Sequence, residues 1–136
     1  MALRQTVPFL RVLDMERALA FWRDGLGFEV AISWTPQGSI RWCRIERDGL
    51  ALMLQDYRHD DGISHPPAGE RGLGVSIVIF CDDALAIYHE ALGRGLQPDR
   101  PFVGNGLWVT GFTDPDGYRV EFESETDQPE ETEYQG

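Results

Sequence analysis

The feature that most constrains this chain is that it is written twice. Residues 18–22 read ALAFW and residues 84–88 read ALAIY, an offset of 66. Leu19, Trp22 and Leu26 recur at helical spacing, and so do Leu85, Tyr88 and Leu92, each set marking one apolar face of a short helix. Each helix follows an apolar run that ends in an acid: VPFLRVLD at 7–14 and VSIVIFCDD at 75–83. Asp14, and Asp82 or Asp83, are N-cap candidates, because a short carboxylate accepts the orphan amide hydrogens of a first turn. Each helix runs into glycines, Gly25 and Gly27 or Gly93 and Gly95, which tolerate a left-handed cap.

Three strands are predicted after each helix, at about 28–35, 40–47 and 50–56, and again at 97–103, 107–113 and 118–124. TPQG at 35–38, Asp48-Gly49, GNG at 104–106 and DPDG at 114–117 supply the turns. The two Asp-Gly turns lie 68 residues apart, close to the helix offset. The fold expected is α+β, two βαβββ modules over about 6–57 and 73–124, joined by a loop at 58–72 rich in His, Asp, Gly and Pro. One such module sits at the edge of independent stability, so the copies should pack as a single domain over 1–124.

Composition narrows the function. The 136 residues are 42% apolar and 26% charged, which suits one soluble globular domain. The apolar runs are too short to span a bilayer, and MALRQTVPFL lacks a signal-peptide pattern. Two distant cysteines, Cys43 and Cys81, suggest buried thiols in the cytoplasm. The formal charge is −11, which disfavours nucleic acid and anionic membrane as partners. Every base is an arginine; the absence of lysine removes Schiff-base and P-loop chemistry. Six acids and no base lie in 123–136, and without that stretch the body keeps 17 acids against 12 bases. Residues 125–136 read as an acidic, solvated tail, or as part of a field that draws a cationic ligand.

The segments VPFLRVLDMERALAFWRDGLGF at 7–28 and FTDPDGYRVEF at 112–122 resemble the vicinal oxygen chelate superfamily, which holds glyoxalase I, bleomycin-resistance proteins and extradiol dioxygenases. The resemblance spans residues 6–124 and implies two modules whose strands curl into a cleft. Metal-dependent members hold one divalent ion with His, Glu or Gln from both modules. The matching positions here are Val7, Val75 or Ser76, Met53 and Glu121, of which only Glu121 keeps a family ligand. Gln55, two residues from Met53, shares its strand face. His59 and His65 fall in the loop and His89 on the second helix; they read as exposed, with His65 the one that a loop could bring to a metal.

No cofactor and no metal are therefore expected. The reading is a metal-independent, antibiotic-like small-molecule binding protein of the bleomycin-resistance type. Its alternatives are a glyoxalase-like lyase or isomerase, or a dioxygenase, with a degenerate metal site, and a ligand-sensing accessory module. Trp34, Trp42 and Trp108 are either sheet packing or a stacking platform for a flat or cationic ligand, with Met53, Gln55 and Glu121 beside them. Arg11 or Arg44 is a candidate partner for Glu121 if that acid faces inward. The resemblance also implies a two-fold homodimer.

Overall fold

A computed structural model describes all residues, Met1–Gly136, and resolves them into two compact units, Met1–Gly69 and Glu70–Gly136. Each unit is one copy of the repeat: a four-stranded mixed sheet with a helix on one face.

The first unit contains β1 (Phe9–Val12), α1 (Met15–Leu19, continued by a π-helical turn at Ala20–Gly25), β2 (Glu29–Trp34), β3 (Trp42–Arg47) and β4 (Leu50–Asp56). The sheet order is β1-β4-β3-β2, with β1 parallel to β4 and the rest antiparallel. The Asp14 carboxylate caps α1 by accepting from the Arg17 amide. Leu10, Val12, Cys43, Ile45, Leu52 and Leu54 point at α1 and meet Leu19, Trp22 and Leu26 in a closed core. Trp22 is edge-on to both Phe21 and Phe28. Asp48 and Gly49 both take positive φ, as a two-residue hairpin turn between β3 and β4 requires.

The second unit contains β5 (Ser76–Phe80), α2 (Ala84–Gly93), β6 (Phe102–Gly104), β7 (Leu107–Thr113) and β8 (Arg119–Glu125), in the order β5-β8-β7-β6. Asp83, not Asp82, caps α2, accepting from the amides of Leu85 and Ala86. Two buried hydroxyls fasten the first turn of α2 to the sheet: Ser124 Oγ accepts from the Ala84 amide, and Thr110 Oγ1 donates to the Ala84 carbonyl, each at 2.8 Å. In the DPDG turn the buried Asp114 carboxylate accepts from the amides of Asp116 and Tyr118. Gly72, at positive φ, comes so close to the Gly117 backbone that no side chain fits there.

Four expectations are corrected here. The apolar stripe on α2 is not Leu85, Tyr88 and Leu92: Leu92 is 45% exposed, whereas Ala84 and Ala91 are buried. The helix caps Asp14 and Asp83 are 69 residues apart, so ALAFW and ALAIY match three residues out of structural register. The strand foreseen at 97–103 is only Phe102–Gly104, since Pro98 and Pro101 lack the amides a ladder needs. Finally, the backbone of the acidic tail is not loose. Val103 donates to the Thr132 carbonyl, Glu131 to the Val103 carbonyl and Tyr134 to the Pro101 carbonyl, each at 2.9 Å, so the tail lies along β6 as an extra edge segment. Of the acids themselves, Glu131 and Glu133 stay in solvent, while exposed Glu130 accepts from the Asn105 and Gly106 amides. No helix is long and apolar enough to cross a membrane.

Candidate functional site

In each unit one sheet face carries the helix and the other, the open face, carries none, although Val109 and Gly111 are buried on that face of the second unit. Side chains at paired positions share a face, so the register lists what each open face displays. In the first unit one row runs Trp34–Trp42–Gln55–Arg11 across β2, β3, β4 and β1. The adjacent row runs Ile32–Arg44–Met53–Phe9. Four of the residues singled out in the sequence, Trp34, Trp42, Met53 and Gln55, thus lie side by side. Trp34 is 47% exposed, and the guanidinium of Arg41 lies 5.0 Å from its ring centroid, so one π face is already taken by a cation. Arg44 pairs with Glu46 at 2.7 Å, and Arg11 donates to the Asp56 carbonyl and lies over the Tyr57 ring. This face sets two tryptophans beside Gln55 and near Arg11 and Arg44, which suits a flat ligand with hydrogen-bond acceptors.

In the second unit Val78, Glu121 and Gly111 form one row of the open face, and Phe80, Glu123, Val109 and Phe102 form the next. Glu121 therefore faces away from α2, and its arginine partner is Arg119 at 3.8 Å, on the same strand, where Arg44 or Arg11 was considered. Arg119 is also held by Asp99 at 2.6 Å and rests over Gly111, in space that a side chain at position 111 would claim. Burial, and then the charge of Glu121, push the Glu123 carboxyl above the ordinary range.

Trp108 is not on this face. Its register partner is Ser124, which reaches the α2 amide, so Trp108 lies on the helix side. There Tyr134 of the tail meets it edge-on at 5.8 Å and also contacts Tyr88 and His89. Trp108 and Glu121 are on opposite faces of one sheet, and the structure does not bring them together. His89 is exposed but shares a 2.8 Å hydrogen bond with the Tyr134 hydroxyl. His59 and His65 stack on each other at 4.1 Å in the loop after β4, and His65 lies 3.7 Å from the Asp61 carboxylate.

The register also settles the ligand positions. Phe9 stands opposite Met53 and Val78 opposite Glu121. Two residues upstream these become Val7 and Ser76, so Ser76 rather than Val75 is the counterpart of Val7. A valine and a methionine in one unit, and a serine beside an arginine-paired glutamate in the other, do not suit a divalent ion. No three His, Cys, Asp or Glu side chains converge on a common point.

A cavity of about 290 Å³ opens in the first unit near the start of α1, lined by Leu13, Met15, Ser39, Ile40, Arg58 and Ser64 among others. Arg58 fills its polar side and is already engaged by Asp56, Ser39 and the Ile40 carbonyl. The cavity wall includes Asp56, which is ion-paired to Arg41, the cation over the Trp34 ring.

Neither thiol is in a disulfide. Cys43 is buried 4.0 Å from the sulfur of Met15, and burial pushes its pKa from 9.0 to about 11. At pH 8 an aromatic disulfide reagent is expected to modify Cys81 quickly and Cys43 only as the chain unfolds. Equal fast phases for both thiols in a stopped-flow titration would contradict this placement of Cys43.

The chain belongs to the glyoxalase/bleomycin resistance protein/dioxygenase superfamily, whose sequence model matches residues 3–122. Solved structures share the fold. The bleomycin resistance determinant encoded on transposon Tn5 is 21% identical with a TM-score of 0.69, over 90% of this chain and 98% of that one. A bleomycin-binding protein complexed with bleomycin is 21% identical with a TM-score of 0.65, over 91% of this chain and 100% of that one. TnmS3, an antibiotic-binding protein from Streptomyces sp. CB03234, is 23% identical with a TM-score of 0.65, over 93% and 99%. No curated protein sequence matches the chain.

Proposed function

We infer that this protein binds a small, flat, antibiotic-like molecule on the open faces of its sheets, without a metal and without turnover. The observation that carries the reading is the row Trp34–Trp42–Gln55–Arg11, in which aromatic and hydrogen-bonding side chains stand side by side on a face that carries no helix. The side chains at the family's metal positions, Val7 and Met53 in one unit and Ser76 and Glu121 in the other, favour binding over metal-assisted catalysis. The solved relatives that bind bleomycin or another antibiotic support the same ligand class. Two thiols outside any disulfide suit the cytoplasm, and a two-fold homodimer is the assembly we propose, to be checked by light scattering across a concentration series.

The test is tryptophan fluorescence titrated with glycopeptide and intercalator-type antibiotics. Trp42→Ala is expected to weaken a detected ligand by about 1–3 kcal/mol, roughly five- to hundred-fold. Trp34→Ala is expected to cost less, because Arg41 covers one face of that ring. Trp108→Ala should leave affinity unchanged while lowering stability. A ligand that binds Trp42→Ala and Trp34→Ala as tightly as the parent would place the site elsewhere.

A further inference from the structure

We propose that Glu123, beside Phe80 and with Phe102 two strands away on the open face of the second sheet, is the carboxylate that receives a positively charged nitrogen, and that the ligand is an amine or quaternary ammonium carrying apolar groups. This rests on the small-molecule reading above and deepens it by naming the ligand class and its anionic contact.

Three observations converge. The first is a row that runs Phe80–Glu123–Val109–Phe102 across β5, β8, β7 and β6. Phe80 is 71% exposed, neighbouring Val78 44% and Phe102 41%, while Val109 between Glu123 and Phe102 is buried, so exposed apolar side chains stand to either side of one carboxylate. An aromatic ring such as Phe80 beside an anion attracts an ammonium ion through both the ring quadrupole and the charge.

The second is a difference between the two carboxylates. Glu121 has Arg119, itself anchored by Asp99. Glu123 makes no ion pair, and the charge acting on it is the like charge of Glu121. A half-buried carboxylate with only an acid for company gains most from an external cation.

The third comes from the repeat. The equivalent row of the first unit is Arg11–Gln55–Trp42–Trp34. Where that row sets an arginine opposite a neutral amide, the second sets a phenylalanine opposite a carboxylate. The same partition runs through the chain: residues 1–69 hold nine acids and eight bases, and residues 70–136 hold fourteen acids and four bases. The second unit attracts cations as a whole, and Glu123 is where the attraction meets an apolar surface.

The experiment uses the full chain labelled with nitrogen-15 and two probes of similar size, phenyltrimethylammonium and benzenesulfonate, titrated at low salt. The ammonium is expected to shift the amides of Phe80, Glu123 and Phe102, and the sulfonate to leave them in place. Glu123→Gln should weaken the ammonium at least tenfold and Glu121→Gln less than threefold, with the amide spectrum of each variant confirming its fold. Unchanged affinity in Glu123→Gln, or an equal loss in Glu121→Gln, overturns the proposal, the latter by reducing it to a general field. Amide shifts on β5 and β8 that follow protein concentration without probe overturn it as well, because a second copy then covers the patch. The indole signals of Trp34 and Trp42 read the broader function separately. If they respond while Glu123→Gln binds like the parent, only the Glu123 assignment falls; if neither unit responds to any probe, both readings fall.

Discussion

Replacing Asp56 by alanine is expected to lower the stability of the first unit by about 3–5 kcal/mol, the usual cost of removing one partner from a buried ion pair. Asp56 is 4% exposed and ends β4 on the helix side of the sheet. One carboxylate oxygen accepts from the Arg58 amide at 3.1 Å and lies 3.7 Å from Arg41 Nε; the other accepts from Arg58 Nε at 2.6 Å. Arg41 is 7% exposed, its Nε makes no hydrogen bond, and one of its terminal nitrogens donates to the Arg58 carbonyl. Asp56 therefore supplies the charge that keeps two guanidiniums in place, and alanine would leave Arg41 buried and uncompensated. Urea unfolding measures the loss. Asn, which keeps the shape and some hydrogen bonds but not the charge, should lose less. A loss below about 1 kcal/mol in the alanine variant would mean that Arg41 escapes to solvent at little cost. The same variant should disturb Trp34, since Arg41 is the cation lying on its ring.

Deleting residues 127–136 is expected to cost the second unit about 2–4 kcal/mol. The segment makes three backbone hydrogen bonds to β6 and the residue before it, and the Glu130 carboxylate accepts from the amides of Asn105 and Gly106 in the turn. Partly exposed hydrogen bonds of this kind contribute about 0.5–1.5 kcal/mol each at most. The Tyr134 ring, held by His89 and by an Arg100 hydrogen bond to its carbonyl, adds apolar burial worth roughly 1.5–3 kcal/mol if complete. Tyr134→Ala should reproduce about half of the deletion's effect, and the emission of Trp108 should shift to the red in both. An unfolding midpoint unchanged by the deletion would show that the tail merely rests on the surface.

The architecture was legible because it is local. Asp14 and Asp83 cap helices by the ordinary carboxylate chemistry, Asp48-Gly49 makes a hairpin turn because both residues accept positive φ, and alternation set Met53 beside Gln55. What was hidden depends on register. ALAFW and ALAIY match three residues out of step because an amphipathic helix nearly repeats itself after one turn, so a similar string fits one turn too early. The face of Trp108 was unreadable because β7 is buried on both sides: Val109 and Thr110 are both covered, and alternation carries no contrast there. The grip of the tail on β6 is made by backbone groups, which no side-chain pattern reports. Glu123 escaped notice because position 121 had a family precedent and position 123 had only its neighbours across the sheet.

The uneven sharing of bases between the two copies changes what holds each together. In the first, nine acids are nearly matched by eight arginines on the same chain, so most of its counter-charge is built in and moves with the fold. In the second, acids exceed bases by ten, and dissolved cations supply the balance. That half is therefore a small polyelectrolyte, its counter-ions supplied by the medium rather than by the sequence, and dilution of the surrounding electrolyte loosens it while leaving the first half nearly indifferent.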